Sequence, residues 1–593
     1  MLRFVVIADS HIRPEDQETD AYPSNALLIR RNELVVQLCN TIEPAFIVHL
    51  GDIVHPLPVE DAHDVALGLA GSVYDGLKSR IYFVAGNHDV GDKPNAHVAV
   101  PAVSEENYPR FEATWGPSYM SFDAAGHHFV IVDAQVMNSG LERERAQVRW
   151  LEADLADAHA AGKRSFVFMH YPPFVRDADE NEHYDNIGEP ARSWFLSQVV
   201  ASGVEAVFSG HVHNFMYNQH GATEMYVAPS TGFVRPDYAE LAALAPVWEN
   251  GRDDPAKLGI FVVDIDASGH QIRPVRSFGE ITAVSSLPVD ISSFLDPGWS
   301  NPLGVTLSHS WTSITDFPTA GLDAYARKRI RNDATLLSLW EARIESVRIP
   351  LDDLATDEVI DRVRQLVRRG MHFSVYSAGP PRQNLIDLVR SASTIIDRWE
   401  ISAVPQDFEA TIAAVGGAGV DVDLAMAPIV PIGTPGDGVH HFVISGFATD
   451  NIELISDLDR ADSDQTVSEL VFRIDQEIDV DSGVVTAIDI ARRFGRRAVV
   501  LVRLPLADES ETFDDDQAVS DRVVEAAVAA MVHQNCSILI DGFMDHDRGY
   551  YPRHGLVDRH LNPRGAFYRL ISTVSRGRED SGVVPLSAWQ PED

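Results

Sequence analysis

The sequence predicts an α/β protein with two folded units, the second of them a (β/α)8 barrel. The main observation is a succession of short, β-branched apolar runs, each ending at Gly, Asp, Asn or His and followed by a longer amphipathic stretch. The runs form two series. The stretch between the series, from Ser285 to Ser300, has neither helical nor strand periodicity and contains two prolines. A chain of 593 residues accommodates two or three such units.

The first series of runs predicts nine strands and a unit that spans residues 1–284. The last two runs are separated by Ala267-Ser268-Gly269, which predicts a hairpin that closes the unit. A linker is expected over residues 285–302. The nine runs are Phe4 to Ala8, Phe46 to Leu50, Ile81 to Ala85, Phe129 to Val132, Phe166 to Met169, Val204 to Phe208, Met225 to Ala228, Ile260 to Ile265 and Gln271 to Val275.

The second series contains eight runs separated by helical patterns, which predicts a (β/α)8 barrel over residues 303–580. An extra run, His441 to Ser445, is expected as an addition after the fifth strand. The eight runs are Val305 to Leu307, Ser346 to Ile349, His372 to Tyr376, Arg398 to Ile401, Val422 to Met426, Glu469 to Ile474, Ala498 to Val502 and Ile538 to Ile540.

The composition argues against several classes of partner. The 48 Lys and Arg residues against 88 Asp and Glu residues give a net charge of −40, which repels nucleic-acid polymers and anionic membrane surfaces. The sequence has no apolar stretch of the roughly 20 residues that cross a bilayer, and its first apolar run is too short for a signal peptide. Cys39 and Cys536 cannot form a disulfide framework. We therefore expect a soluble, cytoplasmic protein.

Metal-binding residue types follow five of the predicted strands in the first unit. They are Asp9 and His11, Gly51-Asp52, Gly86-Asn87-His88-Asp89, His170 and Gly210-His211-Val212-His213. Side chains at the carboxyl ends of strands converge on one crevice in open α/β sheets, so these residues are expected to meet. Imidazole, carboxylate and amide ligands without thiolate favour Mn, Fe, Zn or Co. A lone Asp-x-His or Gly-Asp pair is usually a turn, and the ordered series carries the prediction.

The chemistry of a phosphoryl centre explains why these residue types occur together. Two divalent cations about 3.5 to 4 Å apart can clamp the attacking and leaving oxygens, and a bridging carboxylate holds such a pair. Asp52 is the predicted bridge. His55, three residues later, is a candidate for the pocket lining, although solvent-facing or packing roles are commoner for such histidines.

The series resembles that of the calcineurin-like metallophosphoesterases, whose fingerprint D-x-H, G-D, G-N-H-D/E, H and G-H-x-H is complete here. The resemblance covers residues 1–280 and implies a four-layer sandwich of two mixed sheets with helices outside. It also implies two metal sites, with His88 close to both. The implied ligands are Asp9, His11, Asp52 and His213 for one ion, and Asp52, Asn87, His170 and His211 for the other.

The implied function is a binuclear metal-dependent phosphodiesterase, in which a metal-bound hydroxide attacks phosphorus in line with the leaving alkoxide. In this mechanism Asp52 bridges the metals, Asn87 orients the phosphoryl oxygens and His88 donates a hydrogen bond or proton. Asp89 is expected to orient His88. Purple acid phosphatases replace the histidine that stands here at position 11, so the sequence is more similar to the cyclic-nucleotide and glycerophosphodiester branch. A small phosphodiester, including sugar- or glycerol-linked ones, is the expected substrate.

The second unit weakly resembles the barrels of glycoside hydrolases, on the segments 343–350 and 555–564. A retaining glycosidase needs two carboxyl groups about 5 to 5.5 Å apart, which that clan supplies from strands four and seven. Strand four here carries Glu400 without the usual Asn-Glu pair, and strand seven has no carboxylate at its tip. We therefore expect a non-hydrolytic barrel that shapes the cleft, binds a sugar-bearing substrate or mediates assembly.

Two other functions stay open at this point. The first is a carbohydrate-binding or scaffolding protein with a vestigial metal site, against which the complete ligand set argues. The second is a glycosidase that acts through the barrel, for which Glu400 and the aspartates Asp541, Asp545 and Asp547 after strand eight are candidates. The sequence leaves the metal, the substrate and a homo-oligomeric state undecided.

Overall fold

The computed structural model describes residues 1–15, 22–95, 100–242, 244–279, 283–308, 310–317, 325, 327–430, 444–504, 516–545 and 555–577. The chain divides into two compact units. The first contains Met1–Ser292 and Thr312–Leu337, and the second contains Ser293–Trp311 and Ser338–Asp593. Among the described helices, none combines the length and the apolar character needed to cross a membrane.

The strands and helices alternate along the chain, as expected for an α/β protein. The strands are β1 (Leu2–Ile7), β2 (Ile47–His49), β3 (Ile81–Phe83), β4 (Met120–Ala124), β5 (His127–Ile131), β6 (Ser165–Phe168), β7 (Ala206–Ser209), β8 (Met216–His220), β9 (Thr223–Val227), β10 (Gly259–Ile265), β11 (His270–Arg276), β12 (Gly304–Thr306), β13 (Ile314–Asp316), β14 (Arg329–Arg331), β15 (Ser346–Pro350), β16 (His372–Ala378), β17 (Arg398–Ala403), β18 (Asp423–Val430), β19 (Ile444–Ser445), β20 (Glu469–Ile474), β21 (Arg497–Val502) and β22 (Ser537–Ile540).

The α-helices are α1 (Leu28–Ile42), α2 (His63–Tyr74), α3 (Asn87–Val90), α4 (Tyr108–Trp115), α5 (Glu142–Ala160), α6 (Ala191–Ala201), α7 (Ile291–Phe294), α8 (Ala334–Glu341), α9 (Asp357–Arg368), α10 (Gln383–Ala392), α11 (Phe408–Gly416), α12 (Ile452–Ala461), α13 (Val480–Arg493), α14 (Asp516–Val532) and α15 (Gly565–Arg576). Short 3-10 helices lie at Pro23–Leu27, Pro236–Leu241, Trp248–Gly251, Pro255–Lys257, Val284–Ser286, Leu351–Ala355 and Pro405–Asp407.

The first unit is a four-layer sandwich built on two mixed sheets. One sheet has the order β11-β10-β1-β2-β3, and the other has the order β4-β5-β6-β7-β9-β8. Phe4 on β1 packs between them, with its ring centroid 5.7 to 6.3 Å from the rings of four phenylalanines on β5, β6 and β7. Helices α5 and α6 cover the outer face of the second sheet. Tyr74 of α2 packs on β2 and β3 of the first sheet.

The nine strands predicted for residues 1–284 are present, and β4 and β8 are additional within this range. Both additional strands are edge strands, each paired antiparallel to its neighbour in sequence. β4 (MSFDA) has no fully buried residue, and β8 (MYNQH) ends in three polar residues, so neither is a continuous apolar run. A prediction based on apolar runs therefore missed these two strands.

The second unit contains a closed barrel of eight parallel strands, in the order β12-β15-β16-β17-β18-β20-β21-β22, and β22 pairs with β12 to close it. All eight predicted strands are confirmed. The interior of the barrel includes Ala425, Val471, Val499, Leu501 and Leu539, which are buried. The two-residue strand β19 pairs antiparallel to β18, while residues 441–443 of the predicted extra run lie outside the described residues.

Residues 312–337 lie between the first and second barrel strands in sequence but fold with the first unit. The predicted barrel range of 303–580 therefore differs from the observed units at this segment. Its strands β13 and β14 pair antiparallel. Phe317 and Ile330 are buried in one apolar cluster with Val175, Val212 and Met216 of the first unit. Burial of these apolar side chains explains why the segment joins the sandwich.

Candidate metal centre

The predicted ligands lie at the carboxyl ends of strands in both sheets of the sandwich. Asp9 and His11 follow β1, Asp52 follows β2, Asn87 begins α3 after β3, His170 follows β6, and His211 and His213 follow β7. All seven side chains belong to residues with 3% exposure or less. Buried charged and polar groups in such density require partners, which a metal ion can supply.

Asp9, His11, Asp52 and His213 form one group, whose ligand atoms lie within 4.8 Å of one another. His11 Nε2 is 3.0 Å from His213 Nε2 and 3.4 Å from Asp52 Oδ2. His213 Nε2 is 3.5 Å from Asp9 Oδ1. Ligands about 2.0 to 2.2 Å from one ion at tetrahedral angles lie roughly 3.3 to 3.6 Å apart. The group therefore has the dimensions of a single-ion site.

Asp52, His170 and His211 form a second group of the same kind. His170 Nε2 is 3.4 Å from Asp52 Oδ1. The side-chain oxygen of Asn87 lies 2.9 Å from His170 Nε2 and 3.1 Å from His211 Nδ1, so it belongs to this group as well. The donor set of both groups fits divalent metal ions, and Asp52 presents one carboxylate oxygen to each group.

Backbone carbonyls fix the orientation of two of the imidazoles. His170 Nδ1 donates a hydrogen bond to Leu50 O at 2.8 Å, and His213 Nδ1 donates to Phe233 O at 2.9 Å. Because a carbonyl can only accept, the proton of each neutral ring is on Nδ1. Nε2 of each ring therefore faces its ligand group, where it can give a lone pair to an ion once any proton that it carries is released.

The charges within the site shift several pKa values. Burial lowers the pKa of His11 well below its usual value, and Asp52 offsets only part of this effect. Burial also acts against a charged His170, but the adjacent Asp52 carboxylate outweighs it and raises the pKa of His170 to about 9. For Asp52, burial is outweighed by His170 and His88, which hold its pKa well below the usual range. Asp52 is therefore anionic, as a metal ligand requires.

Comparison with known proteins assigns this part of the chain to a family. Residues 2–215 match the family model described as calcineurin-like phosphoesterase, a range that includes all seven predicted ligands. Residues 2–215 form a calcineurin-like phosphoesterase domain. The resemblance stated from the sequence motifs is thus confirmed for this region.

Several curated phosphatases are similar to the phosphoesterase domain. The serine/threonine-protein phosphatase CPPED1 of Rattus norvegicus is 29% identical over 215 residues, which cover 34% of this chain and 65% of that protein. Purple acid phosphatase 22 of Arabidopsis thaliana is 26% identical over 171 residues, which cover 27% of this chain and 36% of that protein. The chain thus spans about two thirds of the length of the CPPED1 proteins it matches.

Among solved structures, the Plasmodium protein GAP50, the anchor in the inner membrane complex, has 15% sequence identity and a TM-score of 0.30. The match covers 46% of this chain and 84% of that protein. Scores at this level support no argument about the activity of the phosphoesterase domain.

His88 lies beside both ligand groups of the phosphoesterase domain. Its backbone N–H donates to Asp52 Oδ1 at 2.9 Å, and its ring centroid is 4.7 Å from that of His11. His88 Nδ1 donates to the backbone carbonyl of His55. The carbonyl fixes the ring and leaves Nε2 for another partner.

Asp89 does not orient His88, contrary to the sequence-based expectation. Its carboxylate accepts hydrogen bonds from the backbone N–H groups of Ile53 at 3.1 Å and Gly86 at 2.9 Å. Asp89 therefore ties the loop after β2 to the start of α3. The backbone of His55 holds His88 instead, and a main-chain partner of this kind leaves no signal in the sequence.

His55 lies next to the first ligand group, where the sequence suggested that it could line the pocket. Its Nδ1 is 3.2 Å from His11 Nδ1, and its ring stacks on that of His88 with the centroids 5.2 Å apart. Burial lowers the pKa of His55 to about 2, and the nearby charges of His88 and Arg13 act in the same direction. His55 is therefore neutral at physiological pH.

Asp185 is a site residue that the sequence did not reveal. Its Oδ1 lies 3.6 Å from His211 Nε2, and the residue is fully buried. It belongs to the long loop between β6 and α6, where no motif surrounds it. Tyr184 beside it accepts a weak hydrogen bond from Asn87 Nδ2 at 3.4 Å.

The described carboxylates that were considered for a glycosidase in the barrel form ion pairs or hydrogen bonds with other protein groups. Glu400 is 1% exposed and forms a bidentate ion pair with Arg348, at 2.7 and 2.5 Å. Asp545 pairs with Arg564. Asp541 accepts a hydrogen bond from Leu504 N at 3.1 Å. Asp547 lies outside the described residues.

Proposed function

We propose that the phosphoesterase domain is a binuclear metal-dependent hydrolase that cleaves a small phosphodiester. The observation that carries the proposal is the position of Asp52, with Oδ2 toward the first ligand group and Oδ1 toward the second. A carboxylate shared in this way can hold two ions at the spacing that in-line displacement at phosphorus requires. The ions would be divalent transition metals such as Mn, Fe, Zn or Co.

The chain's own residues have distinct roles in this proposal. Asp9, His11 and His213 would hold one ion, Asn87, His170 and His211 would hold the other, and Asp52 would contact both. When bound, the ions would supply an activated water and neutralise the phosphoryl oxygens. His88, whose Nδ1 is anchored on a carbonyl, would present Nε2 to a phosphoryl or leaving-group oxygen and, in its imidazolium form, act there as a hydrogen-bond or proton donor.

Two substitutions separate metal binding from catalysis. Asp52→Asn removes the shared charge, so we expect the protein to lose bound metal and activity together. His88→Ala leaves the predicted ligands intact, so we expect metal content to stay near the wild-type level while kcat falls by roughly 10² to 10⁴-fold, the usual contribution of a positioned acid or base. Metal analysis of the purified proteins and hydrolysis of bis-p-nitrophenyl phosphate measure the two effects. Full turnover by both variants would contradict the assignment.

A second candidate is a phosphomonoesterase that acts on phosphoproteins. The observation that favours it is the similarity to CPPED1 proteins, which are named serine/threonine-protein phosphatases. Parallel assays of Mn²⁺-loaded protein on bis-p-nitrophenyl phosphate, p-nitrophenyl phosphate and a phosphoserine peptide discriminate the two candidates. A higher kcat/KM on the diester supports our proposal, and a higher value on the phosphopeptide supports the second candidate.

A vestigial metal site or a glycosidase is less well supported. The site retains every predicted ligand, and Glu400 of the barrel is held by Arg348. A p-nitrophenyl glycoside panel added to the same assays tests the barrel directly. Glycoside cleavage that is lost in Glu400→Gln would overturn the non-hydrolytic interpretation of the barrel.

A further inference from the structure

The segment 312–337 brings a lysine close to the metal centre of the first unit. Lys328 is 2% exposed, and its Nζ lies 2.5 Å from Asp185 Oδ2. Arg331 of the same segment donates to Tyr217 O and Asn218 Oδ1, each at 2.7 Å. Both polar and apolar buried contacts between this segment and the rest of the first unit therefore hold Lys328 in place.

Asp185 is held on several sides by groups of the first unit. Arg235 forms an ion pair with Oδ1, and the Tyr238 hydroxyl donates to Oδ2 at 2.9 Å. These contacts, together with that of Lys328, fix the position of a fully buried carboxylate.

His211 differs from the other two imidazoles whose orientation was described above. His170 and His213 direct Nδ1 to backbone carbonyls, whereas His211 directs Nδ1 to the ligand group, 3.1 Å from Asn87 Oδ1. Its Nε2 is buried and has no hydrogen-bond partner within the described part of the chain. The polar atom placed next to it is Asp185 Oδ1, at 3.6 Å.

We propose that Lys328 is a positioning residue for the metal centre: it anchors Asp185 so that this carboxylate faces the Nε2–H of His211 and leaves Nδ1 to bind the ion. A carboxylate behind a ligating histidine fixes its tautomer and raises its basicity. Lys328→Met removes one of the groups that hold this buried carboxylate in place, which favours its reorientation away from His211. This inference rests on the proposed binuclear function, and it makes a segment from between two barrel strands part of the phosphoesterase site.

The test measures Mn²⁺ binding by isothermal titration calorimetry with the full-length metal-free protein. We expect two Mn²⁺ ions to bind the wild-type protein. In Lys328→Met, one of the two should bind about 10- to 100-fold more weakly while the other keeps its affinity, since loss of such an outer partner has this usual effect. Lys328→Arg restores the charge and should recover most of the affinity.

The neighbouring Arg329 provides the matched control. It is 55% exposed on the same strand and pairs with the exposed Asp316, so Arg329→Met removes the same charge away from Asp185. We expect it to bind both ions as the wild-type protein does. Asp185→Asn, which keeps the side-chain shape, should weaken the same single site as Lys328→Met and serves where Lys328→Met fails to fold.

The outcomes separate this inference from the proposed function. Wild-type affinity at both sites in Lys328→Met or Asp185→Asn would overturn the role of Lys328 while leaving the binuclear proposal standing. Equal weakening of both sites, or no recovery in Lys328→Arg, would reduce Lys328 to a general structural role and would also overturn the inference. Absence of Mn²⁺ binding by the wild-type protein would instead contradict the proposed function itself.

Discussion

Five of the seven predicted metal ligands have left-handed backbone angles. The φ values are 54° at Asp9, 46° at His11, 52° at Asp52, 68° at His211 and 55° at His213. Residues other than glycine adopt this region rarely, at a cost of roughly 1 to 3 kcal/mol each, and such residues concentrate at functional sites. Asp and His tolerate it better than most residues. Strands β1, β2 and β7 are thus each followed by a sharp turn that directs a ligand side chain into the site.

Gly86 allows the close approach of two of these turns. A Cβ added at this position would overlap the backbone nitrogen and Oδ1 of Asp52, and it would lie 2.9 Å from Asp52 Cα. Because Asp52 is confined by both ligand groups, we expect Gly86→Ala to displace it. Metal affinity should fall by about tenfold or more, with a loss of roughly 1 to 3 kcal/mol in unfolding free energy from overpacking. Metal titration and urea unfolding measure the two effects.

Gly68→Ala is the matched control for Gly86→Ala. Gly68 lies within α2, and a Cβ there would meet nothing within 4 Å. This change should leave metal affinity unaltered and stabilise the protein by about 0.5 to 1 kcal/mol, because glycine is a poor helix former. Equal metal affinities for the two alanine variants would show that Gly86 does not set the position of Asp52.

Sequence alone could locate the ligands but not the residues behind them. Each ligand directly follows an apolar run or begins the next turn, so the order of strands suffices to bring Asp9, Asp52 and His170 to one place. Asp185 and Lys328 have no such position, since they come from a loop and a distant hairpin that only tertiary packing unites. The role predicted for Asp89 was wrong because a main-chain carbonyl holds His88.

His128 joins β4 and β5 to α5. Its Nδ1 is 2.9 Å from Asp123 Oδ1 of β4, and its Nε2 is 2.9 Å from Asp154 Oδ2 of α5. The hydrogen bond to Asp154 raises the pKa of His128 above its usual value, burial opposes this, and Asp123 adds to it. Both ring nitrogens act as donors when the imidazole is protonated, so the clamp is complete only in the charged form.

The raised pKa of His128 fixes the sign of a pH effect on stability. A histidine whose folded pKa exceeds its unfolded value of about 6.5 contributes its full stabilisation below pH about 6.5, and this is lost as the pH rises through the folded pKa. We therefore expect His128→Gln to be less stable than the wild-type protein in mild acid, and the difference to shrink with rising pH. Urea unfolding of both proteins across the pH series measures it.

Asp154→Asn is the companion variant for this prediction. It removes the main cause of the pKa shift while keeping the side-chain shape, so its stability relative to the wild-type protein should depend on pH in the same direction. A stability difference between His128→Gln and the wild-type protein that stays constant from acid to alkaline pH would contradict the clamp.

Strand prediction found the eight barrel strands and the edge strands β3 and β11, but it missed β4 and β8. The eight barrel strands are flanked by partners on both sides and read as apolar runs, and all eight were found. Strands β4 and β8 have one partner each, and β8 includes the polar residues Asn218, Gln219 and His220. β4 has no fully buried residue and β8 ends in three polar residues, so neither forms the apolar run on which the prediction depends.

Thermal unfolding can test whether the segment 312–337 unfolds together with the first unit. Two compact units can unfold in separate transitions, and Mn²⁺ should raise the transition of the unit that binds it. Ile330 is fully buried in the cluster with Val212 and Met216, so Ile330→Ala should cost about 2 to 5 kcal/mol in that same transition. Differential scanning calorimetry with and without Mn²⁺ measures both shifts.

Val471→Ala is the counterpart of this prediction in the barrel interior. Val471 is also fully buried, so the substitution should lower the transition that does not respond to Mn²⁺. If Ile330→Ala instead lowered the barrel transition and spared the Mn²⁺-sensitive one, the segment would belong energetically to the barrel. The sequence could not show which unit contains the segment, because two apolar residues such as Phe317 and Ile330 could be buried in either hydrophobic core.

Neither unit is continuous along the chain, since each consists of two stretches that interleave at residues 293–337. A gene crossover or a proteolytic cut at a single point in the chain therefore cannot separate two complete units. Discarding everything after residue 292 would remove Lys328 and Ile330 together with the barrel, and the remaining sandwich would lack part of its own core. The two units are consequently expected to be inherited, exchanged and degraded as one piece.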